Sequence, residues 1–252
     1  MKLVRFEKNG SIHHGIVTDD TIACLEGNFF DAHTETGETV GLTEVRILPP
    51  TDPTKIVCVG LNYKPHIDEI KAEQPEMPHF FLKPPTCIIG HGDPIRIPKG
   101  SQRTDYEGEM AVVVKNRISS ISEAEALDHV LGYTCFNDVT ERALVTKSAA
   151  YLTQAKGYDT FGAYGPFVET DVQPDGLPIN TTLNGKVMQS DNTETCIFKV
   201  AYLLHVISSC MTLNPGDVVA TGTPYGVSQL SPGDVVEVKV EGIGTLSNPV
   251  VS

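Results

Sequence analysis

Short runs of β-branched residues, separated by glycine and proline, constrain the fold of this chain more than any other sequence feature. The first two runs, at residues 2–6 and 12–17, flank Asn9-Gly10, a dipeptide typical of tight β-hairpin turns. Such runs recur along the chain, which has 22 glycines and 17 prolines in 252 residues. Because β-branched side chains favour strands and these turn residues end them, the sequence predicts an α+β fold that is mostly β.

A change of pattern near residue 50 divides the chain. Pro49-Pro50 and Asp52-Pro53 interrupt the strand pattern, and a run typical of a buried strand follows at 55–60. We therefore predict a small β-rich N-terminal domain at 1–50 and a larger domain at 51–252. The further elements predicted in the larger domain are strands at 107–114 and 131–137 and helices after Pro65, at 122–131 and at 200–211.

The charge balance excludes one large class of partners. Nineteen basic and 32 acidic residues give a net charge of −13 at pH 7, and such a chain repels the phosphate backbone of nucleic acids. No apolar stretch approaches the ~18 residues that a membrane-spanning helix needs, and the N-terminal residues lack a signal-peptide core. Six dispersed cysteines favour buried free thiols. We expect a cytoplasmic protein with no nucleic-acid or membrane partner.

Three carboxylates form a candidate metal site. In a strand, Glu107 and Glu109 would point to the same side, and Asp138 follows another strand that has a buried pattern. A solvated strand face and a turn or helix cap are the ordinary alternatives. The apolar run at 110–114 favours burial instead, and three oxygen donors without nearby cysteine or histidine suit Mg²⁺ or Mn²⁺.

Other polar residues occur in turn-rich segments. His66 and Glu69 would be neighbours on one face of a short helix, where the carboxylate could orient the imidazole as a general base, although a surface pair is the alternative. Lys156 lies in a glycine-rich stretch and could bind a substrate carboxylate or remain solvated, and Lys83 offers a second cation. Thr223 lies in a tight loop whose hydroxyl and N–H groups could bind an anion.

Taken together, these segments resemble the fumarylacetoacetate hydrolase family over about residues 55–240. The resemblance is carried by Gly60-Leu61-Asn62-Tyr63 with His66 and Glu69, Asp105-Tyr106-Glu107-Gly108-Glu109, Asn137-Asp138-Val139-Thr140 with Arg142, Ala155-Lys156 with Asp159-Thr160-Phe161-Gly162, and Thr221-Gly222-Thr223-Pro224 with Gly226-Val227. It implies a mixed β-roll that carries the catalytic site at 51–252, with the first 50 residues as a small N-terminal extension. It also implies a homodimer.

The resemblance also implies roles for single residues. Glu107, Glu109 and Asp138 would coordinate Mg²⁺ or Mn²⁺, with Lys156 beside the ion, and His66 and Glu69 would form an acid–base pair on a lid. The implied contacts of the substrate are Arg142, Thr223, Lys83 and Tyr63. The chain departs from the family pattern after Arg142, where Ala143-Leu144-Val145 replaces polar residues and removes an expected amide contact.

The implied activity is metal-dependent cleavage of a C–C bond, by hydrolysis or decarboxylation, in a small 2-oxo or 2,4-dioxo acid. The close alternative is isomerisation of a 2-hydroxydienoic diacid such as 2-hydroxyhepta-2,4-diene-1,7-dioate. A non-catalytic protein that binds organic acids is a third interpretation, but such a protein would not need the intact pair of His66 and Glu69.

Overall fold

The turn at Asn9-Gly10 forms the predicted hairpin. Both residues have positive φ, 54° and 79°, a conformation that asparagine and glycine adopt more readily than other residues. The turn joins strand β1 (Lys2–Lys8) to strand β2 (Ser11–Thr18), which pair antiparallel along their whole length. The structure, a computed structural model, describes all 252 residues and contains 19 strands and four α-helices.

The other strands and the helices follow in chain order. The strands are β3 (Thr21–Glu26), β4 (Thr34–Gly41), β5 (Arg46–Ile47), β6 (Ile56–Gly60), β7 (His79–Lys83), β8 (Ile88–Ile89), β9 (Ile95–Arg96), β10 (Thr104–Asp105), β11 (Gly108–Val114), β12 (Val130–Asp138), β13 (Thr140–Glu141), β14 (Gly162–Glu169), β15 (Pro178–Leu183), β16 (Lys186–Asn192), β17 (Val218–Ala220), β18 (Val235–Val240) and β19 (Gly244–Val251). The α-helices are α1 (Lys64–Ile70), α2 (Arg142–Lys147), α3 (Leu152–Lys156) and α4 (Val200–Cys210).

Three sheets contain all of these strands. The 12-stranded sheet has the order β4-β3-β2-β1-β14-β12-β11-β17-β6-β7, with β5 paired to β1 and β8 paired to β14. A five-stranded sheet has the order β16-β15-β18-β19-β9, and β10 pairs with β13. The predicted α+β, mostly β class is therefore confirmed. The N-terminal strands extend the large sheet because β1 pairs with β14, and the division into two domains at residue 50 stays a prediction.

The helices are few and short, as predicted. Helix α4 contributes Leu203, Leu204 and Ile207 to a core of 21 buried residues that includes side chains of β6, β11 and β17. The helix predicted at 122–131 is a 3₁₀-helix at Glu123–His129, which ends where β12 begins at Val130. The longest helix has 11 residues, and no helix has the length and hydrophobicity needed to span a membrane.

The pairing of β11 with β12 determines where the functional side chains lie. The two strands are antiparallel, and Gly108 lies opposite Asn137, so the start of β11 is beside the end of β12. Glu107 and Glu109 come from that start, and Asp138 comes from that end. Residues separated by about 30 positions in the sequence therefore meet at one edge of a buried strand pair.

Candidate active site

The three predicted metal ligands converge. One carboxylate oxygen from each of Glu107, Glu109 and Asp138 lies within 4.8 Å of the other two, and all three side chains are buried. The convergence follows from the register of β11 and β12, and Asn137 reinforces it because its Oδ1 accepts a hydrogen bond of 3.0 Å from the Glu107 N–H. The structure thus brings the predicted ligand set together.

Buried cations compensate two of these carboxylates. The Lys156 ammonium donates to Glu107 Oε2 at 2.7 Å and to Asp138 Oδ2 at 2.6 Å, and the Arg142 guanidinium also donates to Glu107. Lys83 donates to Asp138 Oδ1 at 2.6 Å. Glu109 has no cationic partner, and its one hydrogen bond in this cluster is from the Gly222 N–H, at 2.8 Å.

The pKa values follow this difference in compensation. Burial raises the pKa of Glu109 well above its usual range, and the nearby charges of Asp138 and Glu107 raise it further. Burial acts in the same direction on Glu107, but Lys156 and Arg142 outweigh it and hold the pKa of that carboxyl below its usual range. The ionised carboxylate of Glu109 is therefore unfavourable unless another positive charge lies nearby.

A hard divalent cation would supply that charge. The cluster presents only carboxylate oxygens, which are the donors that Mg²⁺ and Mn²⁺ prefer. Buried like charges at this separation are costly unless a cation neutralises them. The residues therefore fit the metal that the sequence predicts, and Glu107, Glu109 and Asp138 would be its protein ligands.

His66 and Glu69 lie beside this cluster. Helix α1 places them three positions apart, and His66 Nδ1 lies 2.8 Å from Glu69 Oε2. The other oxygen of Glu69 accepts a hydrogen bond of 3.2 Å from the Gly226 N–H, which links α1 to the loop at 221–227. His66 is only 6% exposed, yet it lines the same pocket as the three carboxylates.

One pocket contains most of the predicted site. Its volume is about 260 Å³, and its polar lining includes His66, Glu107, Glu109, Asp138, Arg142, Lys156 and Thr223. The remaining lining is largely apolar and includes Val145, which stands where the family resemblance predicts an amide. Thr223 is held in place because its hydroxyl donates to the Gly108 carbonyl at 2.9 Å.

Two predicted substrate contacts do not line this pocket. Lys83 is fully buried and donates to Asp138 and to the Val139 carbonyl, so its ammonium holds one of the three converging carboxylates. Tyr63 is also fully buried and pairs through its backbone with Cys196. This geometry does not support direct contact of either side chain with a substrate.

Two residues that the sequence analysis did not identify hold predicted site residues in position. Asp105 is fully buried and accepts hydrogen bonds from Arg103 Nε at 2.8 Å and from Arg142 Nε at 2.9 Å, which aims Arg142 at Glu107. Asp105 could have been identified from the sequence, because it lies two residues before Glu107 and so continues the spacing of Glu107 and Glu109. Gln189 donates to the Thr223 hydroxyl at 2.8 Å from the distant strand β16, and no local signal predicts that contact.

Substitution of Lys83 tests its supporting role. We expect Lys83→Met to lower the free energy of unfolding of the metal-free protein by about 3 kcal/mol, because Asp138 loses one of its two buried ammonium partners. Urea denaturation measures the change. Lys147→Met, at an exposed lysine of α2 without an ion pair, is the control and should change stability by less than about 0.5 kcal/mol. Equal effects of the two substitutions would contradict the role assigned to Lys83.

Two protein-family models match the chain. The family model for the fumarylacetoacetate (FAA) hydrolase C-terminal domain matches residues 55–251, and a second model, for an Rv2993c-like N-terminal domain, matches residues 1–50. An uncharacterized protein of Archaeoglobus fulgidus is 48% identical over 249 residues, which cover 99% of this chain and 96% of that protein. A mitochondrial oxaloacetate tautomerase of Xenopus laevis is 41% identical over 81% of this chain and 68% of its own length.

Solved structures share the fold. The 2-hydroxyhepta-2,4-diene-1,7-dioate isomerase of Mycobacterium marinum superposes with a TM-score of 0.92 at 39% identity, over 100% of this chain and 98% of that chain. The maleylpyruvate hydrolase of Sphingobium sp. SYK-6, solved with manganese(II) and pyruvate, has a TM-score of 0.81 at 25% identity, over 100% of this chain and 99% of that chain.

Proposed function

Because the chain belongs to the fumarylacetoacetate hydrolase family, we propose that it uses Mg²⁺ or Mn²⁺ to cleave the C3–C4 bond of a small 2-oxo acid. One observation carries this proposal: His66, which is paired with Glu69, lines the same pocket as three converging carboxylates. The manganese(II) and pyruvate bound by the related maleylpyruvate hydrolase support the same ligand chemistry. A protein that only binds organic acids would not need the imidazole–carboxylate pair.

Glu107, Glu109 and Asp138 would hold the cation. When bound, the ion would act as a Lewis acid that polarises the 2-oxo group and stabilises negative charge on its oxygen. The ammonium of Lys156 would add positive charge on the same side of the pocket, since it lies between Glu107 and Asp138. Arg142 donates one hydrogen bond to Asp105 and another to Glu107, and it thereby holds the Glu107 carboxylate in position.

His66 would move the protons. With its Nδ1–H donated to Glu69, its Nε2 can accept a proton from water. The hydroxide so formed adds to the carbonyl carbon at C4, the C3–C4 bond breaks, and the electron pair passes through C3 to the 2-oxo oxygen. C3 then takes a proton back from His66, which leaves a carboxylic acid and a shorter 2-oxo acid.

Isomerisation is the second candidate, and two of the relatives support it. The 39% identical structure from M. marinum is an isomerase, and the 41% identical relative from X. laevis is a tautomerase. In such a reaction His66 would take the proton of the 2-hydroxyl group, the C2–O bond would become a carbonyl, and the displaced electron pair would take up a proton at C3 or C5, so no C–C bond breaks. The substrate would then be a 2-hydroxydienoic diacid or a related keto–enol pair.

One experiment separates the two reactions. An acylpyruvate, oxaloacetate and 2-hydroxyhepta-2,4-diene-1,7-dioate are incubated with the protein and Mg²⁺ or Mn²⁺ in D₂O, and products are followed by NMR. Cleavage of the acylpyruvate to a carboxylic acid and pyruvate is the expected result. Deuterium incorporation or double-bond migration without cleavage would favour isomerisation. If no substrate shows cleavage, deuterium incorporation or double-bond migration, both proposed reactions are contradicted.

A further inference from the structure

A side chain from outside the pocket contacts the backbone between two of the converging carboxylates. Gln189 of β16 is 1% exposed and does not line the pocket, and its Oε1 accepts a hydrogen bond of 3.0 Å from the Gly108 N–H. Gly108 separates Glu107 from Glu109, so this hydrogen bond fixes the backbone that carries both side chains. Gln189 can therefore influence the candidate metal ligands without touching a bound ion.

Three hydrogen bonds form a closed ring at this point. The Gly108 N–H donates to Gln189 Oε1, Gln189 Nε2 donates to the Thr223 hydroxyl at 2.8 Å, and that hydroxyl donates to the Gly108 carbonyl at 2.9 Å. Gln189 Nε2 also donates to the Pro224 carbonyl at 2.8 Å. These contacts need one acceptor and two donors on neighbouring atoms, which a primary amide supplies and a carboxylate of the same size does not.

The segments that the ring joins are packed closely. A Cβ at position 108 would lie 2.0 Å from Thr181 Oγ1 of β15, and a Cβ at position 226 would lie 2.1 Å from the Met188 carbonyl oxygen of β16. Both distances are far shorter than a van der Waals contact, so Gly108 and Gly226 allow this approach because they lack a side chain. The β15–β16 hairpin therefore lies directly against the start of β11 and against the loop at 221–227.

The loop at 221–227 extends the influence of the ring to Glu109. The Gly222 N–H donates to Glu109 Oε2 at 2.8 Å, and Gly222 directly precedes Thr223 in the loop. Gln189 thus reaches Glu109 by two routes, through the backbone of Gly108 and through the loop. Without the amide, the buried Gly108 N–H would lose its acceptor and the loop would lose two hydrogen bonds that hold it to β16.

We infer that Gln189 is a positioning residue of the metal site. It holds the backbone and the loop that orient Glu109, and it contacts neither the ion nor the substrate. The inference rests on the proposed function, because it requires that the three carboxylates bind Mg²⁺ or Mn²⁺. Residues that orient metal ligands commonly change metal affinity by a factor of about 10 to 100 when they are substituted.

Calorimetric titration of the metal-free protein with Mn²⁺, in the absence of substrate, tests the inference. Gln189→Met keeps the length of the side chain and removes its hydrogen bonds, and we expect the dissociation constant for Mn²⁺ to rise about tenfold. Asn248→Leu is the matched control, because Asn248 is also 1% exposed and donates hydrogen bonds of 2.8 Å to the carbonyls of Gly90 and Asp93, none of which lines the pocket. Both variants should unfold at a lower urea concentration, but Asn248→Leu should leave the Mn²⁺ affinity unchanged.

A second variant displaces the loop by another route. Gly226→Ala places a methyl group against the Met188 carbonyl, so we expect it to weaken Mn²⁺ binding as well, and it decides the question if Gln189→Met does not fold. Unchanged Mn²⁺ affinity in folded Gln189→Met, or an equal loss in Asn248→Leu, would overturn the inference and leave the proposed function intact. If the unsubstituted protein does not bind Mn²⁺, the proposed function and the inference are both overturned.

Discussion

Replacing Glu109 by glutamine is expected to abolish turnover and to weaken Mn²⁺ binding by more than about 100-fold. Glu109 is the one carboxylate of the cluster without a cationic partner in the protein, so its charge is compensated only when a metal ion is bound. An amide retains the size of the side chain but removes a negatively charged ligand. Calorimetric titration with Mn²⁺ and a turnover assay on an acylpyruvate measure the two effects.

The same substitution should not harm the metal-free protein. Glutamine removes a buried charge that the two neighbouring acids make unfavourable, so the metal-free variant is expected to be as stable as the parent or more stable by about 1 kcal/mol. Glu123→Gln, at an exposed site, is the control for both readouts. Unchanged Mn²⁺ affinity in Glu109→Gln would contradict the assignment of Glu109 as a ligand.

The second large effect is expected from His66→Ala, which should lower the hydrolysis rate of an acylpyruvate about 1,000-fold. Hydrolysis needs a group that takes a proton from water, and His66, which is paired with Glu69 and lines the pocket, is the general base that we propose. Decarboxylation of oxaloacetate requires no activated water, so its rate should fall less. Steady-state rates with both substrates measure the difference.

Two controls define the role of His66. Mn²⁺ affinity should remain unchanged in His66→Ala, because the imidazole is not among the three converging ligands. His33→Ala, at an exposed histidine, should leave both rates unchanged. Equal losses of hydrolysis and decarboxylation in His66→Ala would count against its assignment as the base that activates water.

Local patterns predicted much of the site. Glu107 and Glu109 are two residues apart beside a strand, and His66 and Glu69 are three apart in a helix, so a single backbone period places each pair. Asp138 joins these two glutamates because the end of β12 lies beside the start of β11 in the register of the two strands. Short-range spacing therefore indicated these side chains as candidates, and the family resemblance implied their roles.

Partners supplied by distant elements could not be predicted in the same way. Lys83 lies 55 residues from Asp138, and Gln189 lies 34 residues from Thr223, and each contact depends on how separate strands pack. The sequence motif suggested a substrate contact for Lys83, whereas packing of β7 buries its ammonium against Asp138. Contacts of this kind depend on tertiary structure and leave no periodic signal in the chain.

Anomalous diffraction from crystals soaked with Mn²⁺ and oxalate, a mimic of the 2-oxo acid group, tests the central claim most directly. We expect one manganese peak among the carboxylate oxygens of Glu107, Glu109 and Asp138, with oxalate bound to the same ion on the side of His66. A protein without manganese at these oxygens, or with oxalate bound away from the ion, would contradict that claim.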